Sequence, residues 1–183
     1  MRQILKPLHL ACGNSEENPS IMLIGIKNNV ATASNGNLLV KLDLTKTSSL
    51  GAEDLEILNG KYIHKETWRQ IHKCDEVEIE EKAIHCHANG VKKTFYYEKA
   101  NLELWDNDSV VTVKEEGEEK KRVICHSASQ IDIVHKIFQE DSLNMSFSPK
   151  RHGTVIWPTT DSGMFAILKP EEQLELNRYL FLD

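Results

Sequence analysis

The stretch Val30-Ala31-Thr32-Ala33-Ser34-Asn35-Gly36-Asn37-Leu38-Leu39-Val40-Lys41-Leu42-Asp43-Leu44 reads as two strands joined at a tight Asn35-Gly36 turn. Glycine accepts the positive φ that such a turn needs, and asparagine tolerates it better than most residues. Upstream lies a further apolar run, Ile21-Met22-Leu23-Ile24-Gly25-Ile26, set apart by the turn signal Lys27-Asn28-Asn29. The chain therefore opens as an antiparallel meander.

Working outward, 183 residues make one ordinary domain or two small ones, with enough chain to bury a core. Apolar content of 40% and charged content of 27% fit a soluble globular protein. Nothing approaches the ~18 consecutive apolar residues of a membrane span. The start, Met1-Arg2-Gln3-Ile4-Leu5-Lys6-Pro7, lacks the apolar core and cleavage site of a signal peptide, so a cytoplasmic location without membrane contact is expected. The four cysteines (Cys12, Cys74, Cys86 and Cys125) form no CxxC pair and read as free thiols in a reducing compartment. A formal net charge of −6 means that any contact with DNA must come from a local basic patch.

Further along, Lys46 to Asn59 reads as a loop, and Lys65-Glu66-Thr67-Trp68-Arg69-Gln70-Ile71-His72-Lys73-Cys74 as a short helix starting near His64. The period then changes. Val77-Glu78-Ile79-Glu80 alternates like a half-buried strand, Ala83 to Ala88 follows, Asn89-Gly90 marks a second hairpin, and Lys92 to Tyr97 returns. The later part repeats this order. Ile131 to Phe138 is helical, with Ser127 or Ser129 as its N-cap. Leu143 to Ser148, Thr154 to Pro158 and Met164 to Leu168 are then strands, the last two separated by a turn at Asp161-Ser162-Gly163. The run KEEGEEKKR at 114–122 reads as a solvated connector.

The element order and Ser34-Asn35-Gly36-Asn37-Leu38-Leu39 resemble the DNA sliding clamps, the processivity-factor (DNA polymerase III beta subunit) fold family, whose signature reads Ala-Thr-Asp-Gly-His-Arg-Leu. Gly163 to Pro170 is similar to the final strand of clamp-like proteins, with Lys169-Pro170 in place of Met-Pro, and Asn101 to Trp105 sits where such proteins cross between halves. The family's arginine after the turn is replaced here by Leu38. The resemblance implies an α+β, DNA-clamp-like domain over residues 1–170, in two helix-plus-antiparallel-meander halves (about 1–104 and 105–170). It also implies helices that line the inside of a ring. The expected function is that of a replication accessory protein that encircles double-stranded DNA and tethers replication proteins. Clamps close a ring from six such domains, so one domain per chain would require about six copies.

Lys65, Arg69 and Lys73 recur at four-residue spacing and would form one stripe on a helix, with Trp68 and Ile71 turned elsewhere. These are the candidate DNA-contacting residues, with Lys136 on the second helix as a fourth. A helix on any soluble protein also keeps Lys and Arg in water, so the stripe by itself fits both readings.

No Walker loop, GxGxxG, HExxH or GxSxG occurs. The acid pairs Glu80-Glu81 and Glu115-Glu116 lie side by side in sequence, and neighbours on a strand point to opposite faces, so they do not converge. His85 and His87 share a strand face and could hold a metal only with a third ligand; solvent-facing histidines beside a buried Cys86 is the simpler reading. Trp68, Trp105 and Trp157 read as core residues. The expectation is a protein that is not an enzyme and needs no cofactor or metal.

The last stretch, Glu171 to Asp183, is too apolar to hang free and reads as a terminal helix packed on the domain. Gln173, Leu174 and Leu176 also look like the opening of the peptides by which clients dock on clamps, although Asn177 departs from that pattern. The competing reading of the whole chain is a monomeric or dimeric protein-interaction module on a clamp fold, which does not encircle DNA.

Overall fold

A computed structural model of the chain describes residues 5–15, 17–88, 90–100, 122–148, 153–169 and 172–175. Two short 3-10 turns, Leu8–Ala11 and Pro19–Met22, lead into strands β1 (Leu23–Lys27), β2 (Val30–Ser34) and β3 (Leu38–Asp43). Both turns of this meander form as predicted. Gly36 has φ +91°, and the Asn35 carboxamide accepts the Asn37 and Leu38 N–H groups at 3.0 and 2.8 Å. Between β1 and β2, Asn28 and Asn29 both have positive φ (51° and 64°), as a two-residue hairpin of matching twist requires.

The chain continues through α1 (Leu44–Thr47), α2 (Ala52–Leu58), β4 (Tyr62–His64), α3 (Lys65–Ile71), β5 (Glu76–Ile79), β6 (Ala83–Ala88) and β7 (Val91–Tyr96). After the undescribed segment come β8 (Arg122–Cys125), α4 (Ala128–Phe138), β9 (Leu143–Ser148), β10 (Gly153–Pro158), β11 (Met164–Leu168) and β12 (Glu172–Glu175). A seven-stranded antiparallel sheet runs in the order β4-β1-β2-β3-β11-β10-β9, and separate sheets hold β5-β6-β7 and β12-β8. The seam of the large sheet is β3 against β11, with Val40 opposite Ala166 and Leu42 opposite Met164.

One face of this sheet carries Ile24, Ile26, Ala31, Ala33, Val40, Leu42, Ile156, Ala166 and Leu168, all buried. Against it lie Leu8 and Ala11 of the first turn, Trp68 and Ile71 of α3, and Val134, Ile137 and Phe138 of α4. Burial of each large side chain in this layer contributes about 1.5–3 kcal/mol, so the apolar faces of α3 and α4 hold them on the sheet.

Several expectations differ from the structure. A helical element followed by a three-strand meander occurs three times among the described residues: Leu8–Ala11 with β1-β2-β3, α3 with β5-β6-β7, and α4 with β9-β10-β11. The sequence reading counted two, because four residues behind Pro7 show no helical period. The region read as a loop at 46–59 contains α2, whose first turn is secured by the Asp54 carboxylate accepting the Gly51 N–H at 3.0 Å. Its Leu55 and Leu58, three apart, are buried. Glu172–Glu175, expected in a terminal helix, is a strand paired with β8. Trp157, expected in the core, is 38% exposed on β10. The 114–122 charge run up to residue 121, the Asn101 to Trp105 crossover, and residues 176–183 lie outside the described residues.

Candidate nucleic-acid interface

Helix α3 begins at His64, whose ring Nδ1 accepts the Glu66 N–H at 3.3 Å, and buries Trp68 and Ile71. Its opposite side carries Arg69, exposed and paired with Glu66 at 2.7 Å, one turn earlier. Lys65 points back along the chain. Its Nζ donates to the Gly13 carbonyl at 2.8 Å and to the Asn14 side chain, tying the helix start to the segment after the first 3-10 turn. Lys73 is exposed but lies in the turn beyond Ile71, not on the helix. The expected three-residue helical stripe is thus divided: an anchored Lys65, an ion-paired Arg69, and Lys73 on the connecting turn.

Helix α4 presents Lys136 to solvent in an i,i+4 pair with Asp132 at 2.5 Å. A further cation comes from outside both helices. Lys6 Nζ donates to the Phe138 carbonyl at 2.9 Å and to Gln139 Oε1 at 3.3 Å, satisfying the orphan end of α4. Burial pulls the Lys6 ammonium down from its ordinary range, partly opposed by Glu140. Neither spacing nor periodicity could have indicated this role, because the contact joins residues 132 positions apart.

Between the cations of α3 and the 3-10 turn sits a histidine pair. The His9 and His72 rings stack with centroids 4.9 Å apart at 24°. Burial, then the neighbouring His72, Arg69 and Lys73, push the His9 imidazole down to about 4. Burial and Lys73 lower His72 as well. Both rings are therefore neutral at pH 7, and the positive charge of this face belongs to the lysines and arginine.

The ion pairs at Arg69 and Lys136 are exposed, and such pairs contribute only about 0–1 kcal/mol each. A phosphate replacing Glu66 or Asp132 as the partner would therefore meet little resistance, and each such contact releases counterion.

The other site candidates lie elsewhere. Gln173 and Leu174 are in β12, with Gln173 opposite Ile124 and Leu174 opposite Val123; Leu176 is outside the described residues. His85 and His87 share one side of β6, where His85 contacts Thr94 Oγ1 at 2.8 Å and Glu80 at 3.4 Å. Among the described residues no three His, Cys, Asp or Glu side chains converge on one point. Where β3 meets β10 and β11, a groove of about 520 Å³ is lined by Val30, Lys41, Asp43, Trp157, Pro158, Met164 and Phe165 and by the turn at 159–163. It was not legible in the sequence, because β3 and β10-β11 meet there across more than a hundred residues. No described helix is long and apolar enough to cross a membrane.

The fold is that of bacterial sliding clamps. The chain superimposes on a DnaN sliding clamp (DNA polymerase III subunit beta) from Bartonella birtlesii bound to griselimycin, with TM-score 0.59 and 11% identity. It does so on the C. crescentus beta sliding clamp with TM-score 0.55 and 12% identity, and on the DNA polymerase III subunit beta of Pseudomonas aeruginosa with TM-score 0.56 and 8% identity. In each, 93% of this chain is covered, against 63%, 63% and 64% of the clamp chains, so the chain spans somewhat less than two thirds of their length. No protein-family model matches the sequence. No curated protein matches it either.

Proposed function

We propose that this chain is a DNA-clamp-like replication accessory protein that acts by binding, not catalysis, holding double-stranded DNA within an oligomeric ring and tethering replication proteins. The observation that carries this reading is the placement of α3 and α4. Both pack on one face of the seven-stranded sheet of a clamp-like fold, and Arg69 and Lys136 project away from it. Lys65, Arg69, Lys73 and Lys136 are the proposed phosphate contacts, with Lys65 the weakest because the Gly13 carbonyl already holds it. Three helix-plus-meander units per chain lower the number of chains needed to close a ring below the about six expected from one domain each. Gln173, Leu174 and Leu176 are retained as proposed partner contacts.

Retention on circular and linear DNA tests the reading. An encircling protein stays on a nicked circle in moderate salt and is released when the circle is cut. Equal retention before and after cutting would sink it, whatever the affinity.

The groove beside Trp157 favours a second reading, a monomeric or dimeric protein-interaction module on the same fold. Its exposed indole beside Phe165, rimmed by the carboxylates of Asp43 and Asp161, suits a protein segment better than a phosphate backbone.

A further inference from the structure

The open edges of the sheets are not protected alike. In the three-stranded sheet, β5 carries Glu76 and Glu78 and β7 carries Lys92 and Lys93, all exposed. The two-stranded sheet carries Arg122 on β8 and Glu172 and Glu175 on β12. Charged side chains on an edge keep another strand from pairing with it. At one end of the seven-stranded sheet, β4 is already bridged from outside, where the Glu98 N–H donates to the Tyr62 carbonyl at 2.9 Å. At the other end, β9 has β10 on one side and, among the described residues, no strand on the other. Its six residues, Leu143-Asn144-Met145-Ser146-Phe147-Ser148, include no charge and no proline.

Exposed apolar surface gathers at the same edge. Met145 is 50% exposed, and Trp157, opposite Asn144 on β10, is 38% exposed. Side chains alternate across a strand, so Met145, opposite the buried Ile156, lies on the other face of the sheet from Trp157. Each face thus carries a large uncovered side chain at or next to β9. An uncharged free edge flanked in this way is a template for a further strand.

We propose that β9 is a self-association edge: it pairs antiparallel with β9 of a second copy, about a two-fold axis, and joins two seven-stranded sheets into one. The charge order along the chain selects this occupant. Glu140 and Asp141 precede the strand, and Lys150 and Arg151 follow it in the sequence. Antiparallel pairing of two copies runs acid against base at both ends, whereas parallel pairing runs like against like. Antiparallel pairing with β7 of another copy is disfavoured, because Lys92 and Lys93 begin β7 and would meet the end of β9 that the basic residues follow. The two-fold contact also consumes both free edges, so it closes and does not propagate into a fibre. Outward backbone groups of β9 that face water in a single copy gain strand partners. Met145 comes beside side chains of the copy and loses exposed apolar area.

The contact goes beyond both functional readings and requires neither. Alone it gives a dimer; with a second contact elsewhere it gives a ring with an even number of chains.

The test is light scattering of the full chain over a range of concentration, with amide hydrogen exchange on the same samples. The expected species has an even number of 20.9 kDa chains, with protection at β9 that is lost as dilution lowers the mass. Met145→Lys sets like charges near the axis, and is expected to lower the mass and quicken exchange at β9 while the rest of the sheet stays protected. Ser146→Lys, also at an exposed position and on the other face, gives the same result. Val91→Lys, at a 55% exposed position on β7, leaves the mass unchanged. A monomer at every concentration or an odd number of chains would overturn the proposal. So would an assembly whose mass neither β9 variant lowers, or one that Val91→Lys takes apart.

Discussion

The Trp68 indole N–H donates to the Lys6 carbonyl oxygen at 2.9 Å. Since the Lys6 ammonium in turn donates to the Phe138 carbonyl, one residue ties α3 to the C-terminal end of α4. Trp68→Phe keeps most of the packing but removes one of two hydrogen bonds to the Lys6 carbonyl, which retains the Leu8 N–H at 2.8 Å, and costs about 0.5–1.5 kcal/mol. Trp68→Ala also opens a cavity under α3 and costs about 3–5 kcal/mol. Urea unfolding of both variants measures the two contributions separately, and equal losses would contradict this account of the indole.

Acid weakens the fold through the stacked histidines. The His9 imidazole is lowered from 6.5 to about 4 in the folded chain, so between those values the unfolded chain binds more protons. Stability therefore falls as pH drops through 6.5 and levels off below about 4. His72, lowered in the same direction, adds to the loss. Because the His9 ring is only partly buried, solvent screening discounts its share to on the order of 1 kcal/mol. Melting temperature against pH checks this: His9→Phe flattens the decline between pH 6.5 and 4, whereas an unchanged slope would exclude the pair as its source.

The cations of the helical face separate by role. Arg69→Ala with Lys73→Ala changes stability by less than about 0.5 kcal/mol, as expected for exposed side chains. It lowers the salt slope of DNA binding by about two units, one for each phosphate contact. Lys65→Met, which releases the Gly13 carbonyl and Asn14, lowers stability by about 0.5–1.5 kcal/mol with a smaller effect on that slope. Titrations at several salt concentrations, beside thermal melts, distinguish the two classes.

Gly163 holds the β10-β11 turn against the end of β3. Its φ is +67°, its carbonyl accepts the Asp43 N–H at 2.8 Å, and an added Cβ would stand 2.7 Å from the Asp43 Cβ. Gly163→Ala is therefore strained in both conformation and space, and costs about 1–3 kcal/mol. The control is Gly60→Ala, where φ is +78° but nothing lies within 4 Å; it carries the conformational part alone and loses less.

Much of the local structure was legible because local chemistry decided it. The Asn35-Gly36 and Asn28-Asn29 turns need positive φ, and their residues announce it. The strands read at Leu143–Ser148 and Met164–Leu168 match β9 and β11 residue for residue. His64 caps α3 where the pattern placed its start. What failed was decided at long range. The Leu8–Ala11 turn exists because it wedges between α3 and α4, and nothing in four residues signals that. The β3-β11 seam and the β8-β12 pair join residues far apart in sequence, and the pairing with β8 makes Glu172–Glu175 a strand despite its helical composition. The same limit applied to the site. Spacing placed Lys65, Arg69 and Lys73 on one stripe, but only tertiary contacts reveal that Gly13 holds Lys65 and that α3 ends before Lys73.

Encirclement requires several chains in one closed particle, and absolute mass in solution tests it most directly. Light scattering over a range of concentration and salt is predicted to show a discrete species of more than two 20.9 kDa chains that keeps its mass on dilution. A monomer or dimer under every condition would contradict the ring and leave the interaction module as the function of this fold.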